Sequence, residues 1–496
     1  MIQFFKSFLL MVLCLLCTAQ ATAQLDSLQG YVSTRAFGAY KKQVPFWMRS
    51  AVYGNKPSPD GVVDMTVGVY KPYQLDKEFN WSAGMEVQGS VKAVTVIEAF
   101  AKLKWRNWEI AAGRMKDMVG LADSSLSSGS FSVSGNALGI PQVKIGLSDY
   151  TPLPVLNQWI AVKASLSYGW IGRVPVQNID RQPNVNDAQT YFHAGSFYAR
   201  IGKPDARLQF YIGANHEVMW GDEKRIYGSI FPLSPAKTFL YAVLGKTYGS
   251  VQDTSFAKSK VGNQLGSVDV GMEYKGDRYA VFLYRQNIYD VGALARLANI
   301  MDGLNGIRII NLQEARRALH IHKMVFELLY TKNQAGGLKA RYVKSGDENY
   351  YNNYVYTQGW SYKGAAIGNP FITLRSDGRA SLSAGDERDY FVNNRVLALY
   401  AGIQGNYKDI GFTGKIALSK NWGTYGSSPE GHSTGPYRYP PPPSLYFHEK
   451  NQVSLYGSFD KAIGKGFMLD LAGALDTGSL LYYNVAVALT LRKVFK

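Results

Sequence analysis

The stretch Trp81-Ser82-Ala83-Gly84-Met85-Glu86-Val87-Gln88 sets the fold class, because Trp81, Ala83, Met85 and Val87 alternate strictly with small or polar residues. Successive side chains of a strand point to opposite faces, so this segment has one apolar and one polar face. The same parity returns at Leu208, Phe210, Ile212 and Ala214. It returns again at Val268, Val270, Met272 and Tyr274 against Ser267, Asp269, Gly271 and Glu273. Segments of about 10 residues built this way suit a membrane barrel with lipid outside and a polar lumen. A soluble sandwich alternates too, with its apolar face inward.

Connection lengths separate the two. Working back from the C-terminus, the turn near Asn406-Tyr407-Lys408-Asp409 is short, and the segments 421–450 and about 345–394 are long. Next come a turn near Asn333-Gln334-Ala335-Gly336-Gly337, a long segment 287–321, a turn at Lys275-Gly276-Asp277 and a long segment 219–266. Outer-membrane barrels sort short periplasmic turns from long extracellular loops in this manner. The expectation is an all-β, transmembrane antiparallel β-barrel of about 18 strands with long extracellular loops and both termini in the periplasm. A tag near Gly378 is then reachable on intact cells and one near Gly336 is not. In the final segment Leu481, Tyr483, Val485, Val487, Leu489 and Leu491 share a face with Phe495, and Lys496 follows.

Lys6, the apolar run Phe8 to Cys17 and the small residues Ala21-Thr22-Ala23 lay out a cleavable signal peptide over 1–23. The run is the only one apolar enough to cross a bilayer as a helix. Residues 24–496 form a single barrel domain on this reading. Cys14 and Cys17 follow Leu13 and Leu16 where lipidation needs a small residue, and both leave with the leader, so the exported chain has no thiol. The chain carries 54 Lys and Arg against 37 Asp and Glu, a net charge of +17. Outside the inner membrane the anions within reach are lipopolysaccharide phosphates and acidic polysaccharides, not nucleic acid. Loop solubility is an equally good account of that charge.

Several segments carry a resemblance. They are AAGRMKDMVGLADSSLSSGSFSVSGNALGIPQVKIG (111–146), YRQNIYDVGALARLANIMDGLNGI (284–307), YYNNYVYTQGWSYKGAAIGNPF (350–371), NNRVLALYAGIQG (393–405) and KNWGTYG (420–426). In order and spacing the chain resembles the Wzi-type capsule-assembly proteins of the bacterial outer membrane, in their Bacteroidetes form, over nearly its whole mature length. The resemblance implies an eighteen-stranded barrel whose lumen is occluded by a helical or loop plug, acting as a surface lectin that tethers capsular polysaccharide without catalysis. The expected partners are capsular polysaccharide or exopolysaccharide, outer-membrane lipids and lipopolysaccharide, with the protein a monomer. A channel for an anionic polysaccharide or solute is the alternative, since net positive charge suits such cargo.

Tyr350, Tyr351, Tyr354, Tyr356, Trp360 and Tyr362 crowd into one span that the topology puts outside the cell. Aromatic rings with polar tips stack on sugar faces and hydrogen-bond hydroxyls. The competing account is an interfacial girdle or packing among loops. Trp422, Tyr425, Tyr437 and Tyr439 in the 421–450 loop are treated alike, with Pro440 to Pro443 a stiff spacer. Val291, Leu294, Leu297, Ile300, Met301 and Leu304 have helical spacing and predict a helix over or in the lumen. His320 and His322 share a strand face, but without an acidic partner at fixed spacing they read as an ordinary strand start. Gly-Ser-Phe-Ser-Val-Ser-Gly (129–135) lacks the strand-to-helix context of a nucleophile elbow. No cofactor, metal or enzyme is expected.

Overall fold

Alternation becomes a closed wall in the computed structural model. It describes residues 28–495 apart from 60–62, 75–76, 155, 178–184, 250–258, 291–292, 316, 336–347, 383–388 and 435–436. The leader and its cysteines lie outside the described residues. Eighteen antiparallel strands follow one another around the barrel. They are β1 (Gln29–Ala39), β2 (Asp64–Lys71), β3 (Phe79–Gly89), β4 (Val94–Trp105), β5 (Trp108–Arg114) and β6 (Gln142–Leu147). Then come β7 (Ile160–Pro175), β8 (Asp187–Ile201), β9 (Leu208–Trp220), β10 (Asn263–Lys275), β11 (Tyr279–Tyr289) and β12 (Gly303–Asn311). The circuit ends with β13 (Leu319–Tyr330), β14 (Val396–Tyr407), β15 (Ile410–Asn421), β16 (Lys450–Gly464), β17 (Phe467–Gly478) and β18 (Asn484–Phe495). A two-residue piece, Thr151–Pro152, also pairs with β7. The pairing of β1 with β18, from Gly30 opposite Phe495 to Ala39 opposite Ala486, closes the sheet and leaves no edge.

The two faces sort as the alternation demands. Trp81, Met85, Phe210 and Ile212 are exposed on the outer wall, while Ser82, Glu86, Gln209 and Asn215 are buried inside. In β18, Val485, Val487, Leu489 and Leu491 face out and Asn484, Ala486 and Ala488 face in. Leu481 departs from the expected face: it precedes the strand and is buried against the lumen filling.

Two expectations shift. Tyr330 and Val396 bound one connection, so Asn333, Gln334 and Ala335 of the expected turn open the longest extracellular loop and do not form a periplasmic hairpin, while Gly336 and Gly337 lie outside the described residues. Of the two tag positions, Gly378 lies in this connection and Gly336 lies outside the described residues. The missing hairpin is found earlier, where Gly303–Asn311 forms β12 inside the segment 287–321. The helix expected over 289–304 is replaced by a single 3-10 turn, Ala293–Arg296, and by the start of β12. Leu304 does not belong to a helix face; it is an inward residue of β12, fully buried. Helical spacing in a stretch rich in apolar residues is ambiguous, and pairing with β11 and β13 decides it.

The wall is uneven. β5 and β6 have 7 and 6 residues, whereas β7 and β8 have 16 and 15. β7 runs on from Gly169, opposite the start of β6, to Pro175, so the extracellular rim dips into a notch at β5–β6.

Candidate functional site

The 27-residue connection between β5 and β6 leaves the rim at this notch and turns into the lumen. Its serines let a backbone with no ladder of its own find partners on the inward strand face. The hydroxyl of Ser127 donates to Glu327 at 2.6 Å and the Ser128 amide donates to the same carboxylate at 2.6 Å. The Phe131 amide donates to Gln286 at 3.3 Å and the Ser132 hydroxyl to Asn215 at 3.1 Å. Asp123 of the plug accepts from Lys323 at 2.9 Å. The Tyr400 hydroxyl donates to the Leu126 carbonyl. The Ser/Gly-rich segment is thus the plug, held by inward polar residues of distant strands.

The aromatic segment 350–362 lies on this plug, and its rings are spent there. Tyr350, Tyr351, Tyr356, Trp360 and Tyr362 are buried, with relative exposures of 0, 0, 2, 0 and 4 %. Their polar tips are occupied as well. Tyr351 donates to the Phe131 carbonyl, and the Trp360 indole NH donates to the Ser132 carbonyl at 2.7 Å. Tyr350 donates to Asp302 at 2.7 Å, and Tyr356 donates to Glu223 at 3.1 Å. A Cβ at Gly368 would sit 1.9 Å from the Phe131 carbonyl oxygen, so glycine is what lets cap and plug backbones touch. These five rings are the core of a cap and are not presented to sugar, contrary to the exposure expected of an outside loop. Tyr354 alone of the six is open, at 65 %.

The second aromatic group is also engaged. Trp422 is half-buried, donates its NH to Glu449 at 3.0 Å and carries the Lys332 ammonium 3.8 Å above its ring. Tyr425 is buried, donates to the Asn333 carbonyl at 2.9 Å and lies beneath the Arg395 guanidinium. Tyr437 pairs through its backbone with Thr434; its side chain lies outside what is described. Tyr439 is exposed. His320 and His322 meet with ring centroids 4.7 Å apart, and His322 bonds Asn406.

Burial under the cap perturbs its acids. Asp302 accepts from the Asn333 and Gln334 amides at 2.9 and 2.7 Å as well as from Tyr350. Burial nevertheless pushes its carboxyl up to about 6. Asp290 and Glu223 are raised for the same reason.

What remains open to the exterior is a cleft of about 700 Å³ at the notch. One side is the upper end of β4 (Val94, Val96) and the end of β5 (Arg114); the other is the turn Lys363-Gly364 of the cap with Arg49, Lys56 and Asp377. Arg114 is held by donating to the Val96 carbonyl at 2.6 Å and to the Tyr362 hydroxyl at 3.2 Å. Arg49 is ion-paired with Asp377. Lys56 and Lys363 are exposed. Four cations against one carboxylate give the cleft a positive field, focused by low-dielectric walls. Its volume falls in the range of small-molecule sites. These residues come from positions 49 to 377, so no local motif signals them; the net charge was the sole trace. A second hollow, of about 770 Å³, lies on the outer wall and faces hydrocarbon.

A closed, plugged eighteen-stranded barrel with an apolar outer wall is an outer-membrane protein. The family model for the capsule assembly protein Wzi matches residues 27–383, and the chain belongs to that family. Among solved structures it is similar to Wzi of Escherichia coli, an outer-membrane protein involved in group 1 capsule assembly and a carbohydrate-binding β-barrel. The two are 10% identical with a TM-score of 0.53, covering 95% of this chain and 86% of that one. OccK5 (OpdH) of Pseudomonas aeruginosa follows at 8% identity and a TM-score of 0.43, covering 95% of this chain and 98% of its own. The outer-membrane channel DcaP of Acinetobacter baumannii is 10% identical with a TM-score of 0.34, covering 94% and 96%. No curated protein matches the sequence.

Proposed function

We propose that this protein is a non-catalytic surface lectin that binds an exported polysaccharide, capsular or other, and helps hold it at the cell surface. Membership of the Wzi family and likeness to a carbohydrate-binding barrel support the class of ligand. The observation that carries the reading is the pairing of a filled lumen with an open basic cleft. Phe131, Trp360 and Tyr351 occupy the interior where a channel keeps water, while Arg114, Lys56 and Lys363 line a hollow open to the exterior. Such a cleft favours polymers that carry carboxylates or other anionic groups.

Deleting the gene tests the role. Polymer is expected to move from the cell fraction to the medium with the total unchanged. Loss of total polymer would replace anchoring with export.

A further inference from the structure

The basic cleft has a second mouth, in the barrel wall itself. β5 ends at Arg114, opposite Ala99, and β6 begins at Gln142, opposite Gly113 and Gly169. Val94 to Glu98 at the top of β4 and Trp170 to Pro175 at the top of β7 thus stand with two strands missing between them. Three inter-strand spacings make that gap roughly 14 Å wide. The cap closes its β7 edge: the Gln177 amide donates to the Val355 carbonyl at 2.8 Å, the Thr357 amide to the Pro175 carbonyl at 3.1 Å, and Val176 bridges to Tyr356. No such strand covers the β4 edge among the described residues; Arg114 reaches back to the Val96 carbonyl, and the Lys116 amide donates to the Glu98 carboxylate at 3.3 Å.

Parity shows which way this mouth faces. Ala99 stands opposite Met85, and Arg114 shares a strand face with Ile110; Met85 and Ile110 are exposed residues of the lipid side. Val94 and Val96 stand opposite Gly89 and Val87 on the same face. Val94, Val96, Ala99 and Arg114 therefore open the cleft sideways, while Lys56 and Lys363 line its extracellular part. Arg114 is the last residue of β5, at the height where the apolar face stops. Its guanidinium has no carboxylate within ion-pair distance among the described residues. The acids around it are taken: Asp377 by Arg49, and Glu86 and Glu98 by Lys116.

We propose that the cleft is entered sideways through this gap, and that its ligand is an acidic polysaccharide carried on a lipid, bound by the sugars nearest its membrane-held end. The inference rests on the polysaccharide-binding reading above and adds which form of the polymer, and which end, the site takes. A mouth at the rim of the apolar wall serves a ligand already held in the leaflet. Confinement to the membrane raises the ligand's effective concentration at that mouth without any new contact. Arg114 meets the first anionic group at headgroup height, and the chain then runs past Lys56 and Lys363 to the exterior.

The test uses the full-length protein in neutral phospholipid vesicles and the acidic polysaccharide of the producing cells, stripped of lipid. One portion stays free; another is coupled at its reducing end to phosphatidylethanolamine in the same vesicles. Both carry a photoreactive group on the terminal sugar. The tethered form should crosslink to the segment from Val94 to Ala99. Ala99→Trp, which narrows the mouth from the lipid side, should cut that yield roughly tenfold and affect the free form much less. Heat-modifiable migration confirms that the variant is folded. No loss, or an equal loss in the two forms, overturns lateral entry. Failure of both forms to bind the wild type fails the lectin reading itself, and this inference with it. Polymer that co-purifies with the wild type should carry fatty acid in fixed ratio to its reducing end; fatty-acid-free polymer overturns the choice of ligand.

Discussion

The aromatic segment 350–362 and the basic cleft at the β5–β6 notch differ in the way that matters for recognition. The first is dense in sugar-stacking residue types within thirteen positions, yet five of its six candidate rings are buried. The second gathers Arg49, Lys56, Arg114, Lys363 and Asp377 from three parts of the chain and is open. A ring's capacity to stack on a sugar is chemical; whether it does so is decided by what already covers it. A long loop over a barrel whose lumen must be filled needs a core of its own, and aromatic residues are what it has to build one.

The largest effect that divides the two regions is at Trp360. Truncation to Ala removes a fully buried indole and orphans the Ser132 carbonyl, at a cost of about 3–5 kcal/mol to the cap. The wall should remain heat-modifiable while the 331–395 loop becomes sensitive to protease in lower urea. Unchanged protection would mean that the cap has no cooperative core.

Acidity should act on the same region and leave the cleft alone. Asp302 rises from 3.8 to about 6 on folding, so the native cap holds its proton more tightly than the unfolded chain does. The stability this group contributes is complete below about pH 4 and lost as pH rises through about 6, about 3 kcal/mol at most. Asp290 and Glu223 shift in the same direction. The urea midpoint of cap unfolding, followed by Trp360 fluorescence, should therefore fall between pH 4 and 7, and Asp302→Asn should flatten the profile. A midpoint that rises over that range contradicts the assignment.

Charge reversal probes the cleft. Lys56→Glu with Lys363→Glu changes two exposed side chains, so the fold should survive, whereas affinity for an acidic polysaccharide should drop roughly tenfold or more. Titration of the purified variant by glycan binding at low and physiological salt checks this, because the loss should shrink as salt screens the field. If affinity is untouched at both salts, the polymer is bound elsewhere.

The smallest effect is expected at Tyr354, the exposed ring of the aromatic segment. Tyr354→Ala should shift stability by less than about 0.5 kcal/mol and leave binding as it was. A clear loss of binding would return the aromatic segment to the recognition surface.

Much of the fold was legible before any coordinates. Alternation at Trp81–Gln88, Leu208–Ala214 and Val268–Tyr274 gives the lipid and lumen faces, because a two-residue period has one geometric meaning once the strand pairs. The strand number follows from sorted connections. One hairpin was misplaced, since Gly303–Asn311 carries two glycines and adjoins apolar residues at helical spacing, and a local pattern cannot tell which partner will pair with it.

The candidate site was far less legible. Sequence by itself determined a basic outer-membrane barrel with aromatic-rich outer loops, since periodicity, loop length and charge are properties of neighbours along the chain. Only tertiary structure decided that Tyr350, Tyr351, Tyr356, Trp360 and Tyr362 are buried in the cap, and that Lys56, Arg114 and Lys363 share one hollow. The reason is physical. Burial and field depend on distances between residues up to several hundred positions apart, and those distances are set when the sheet closes and the Ser/Gly-rich segment folds into its lumen.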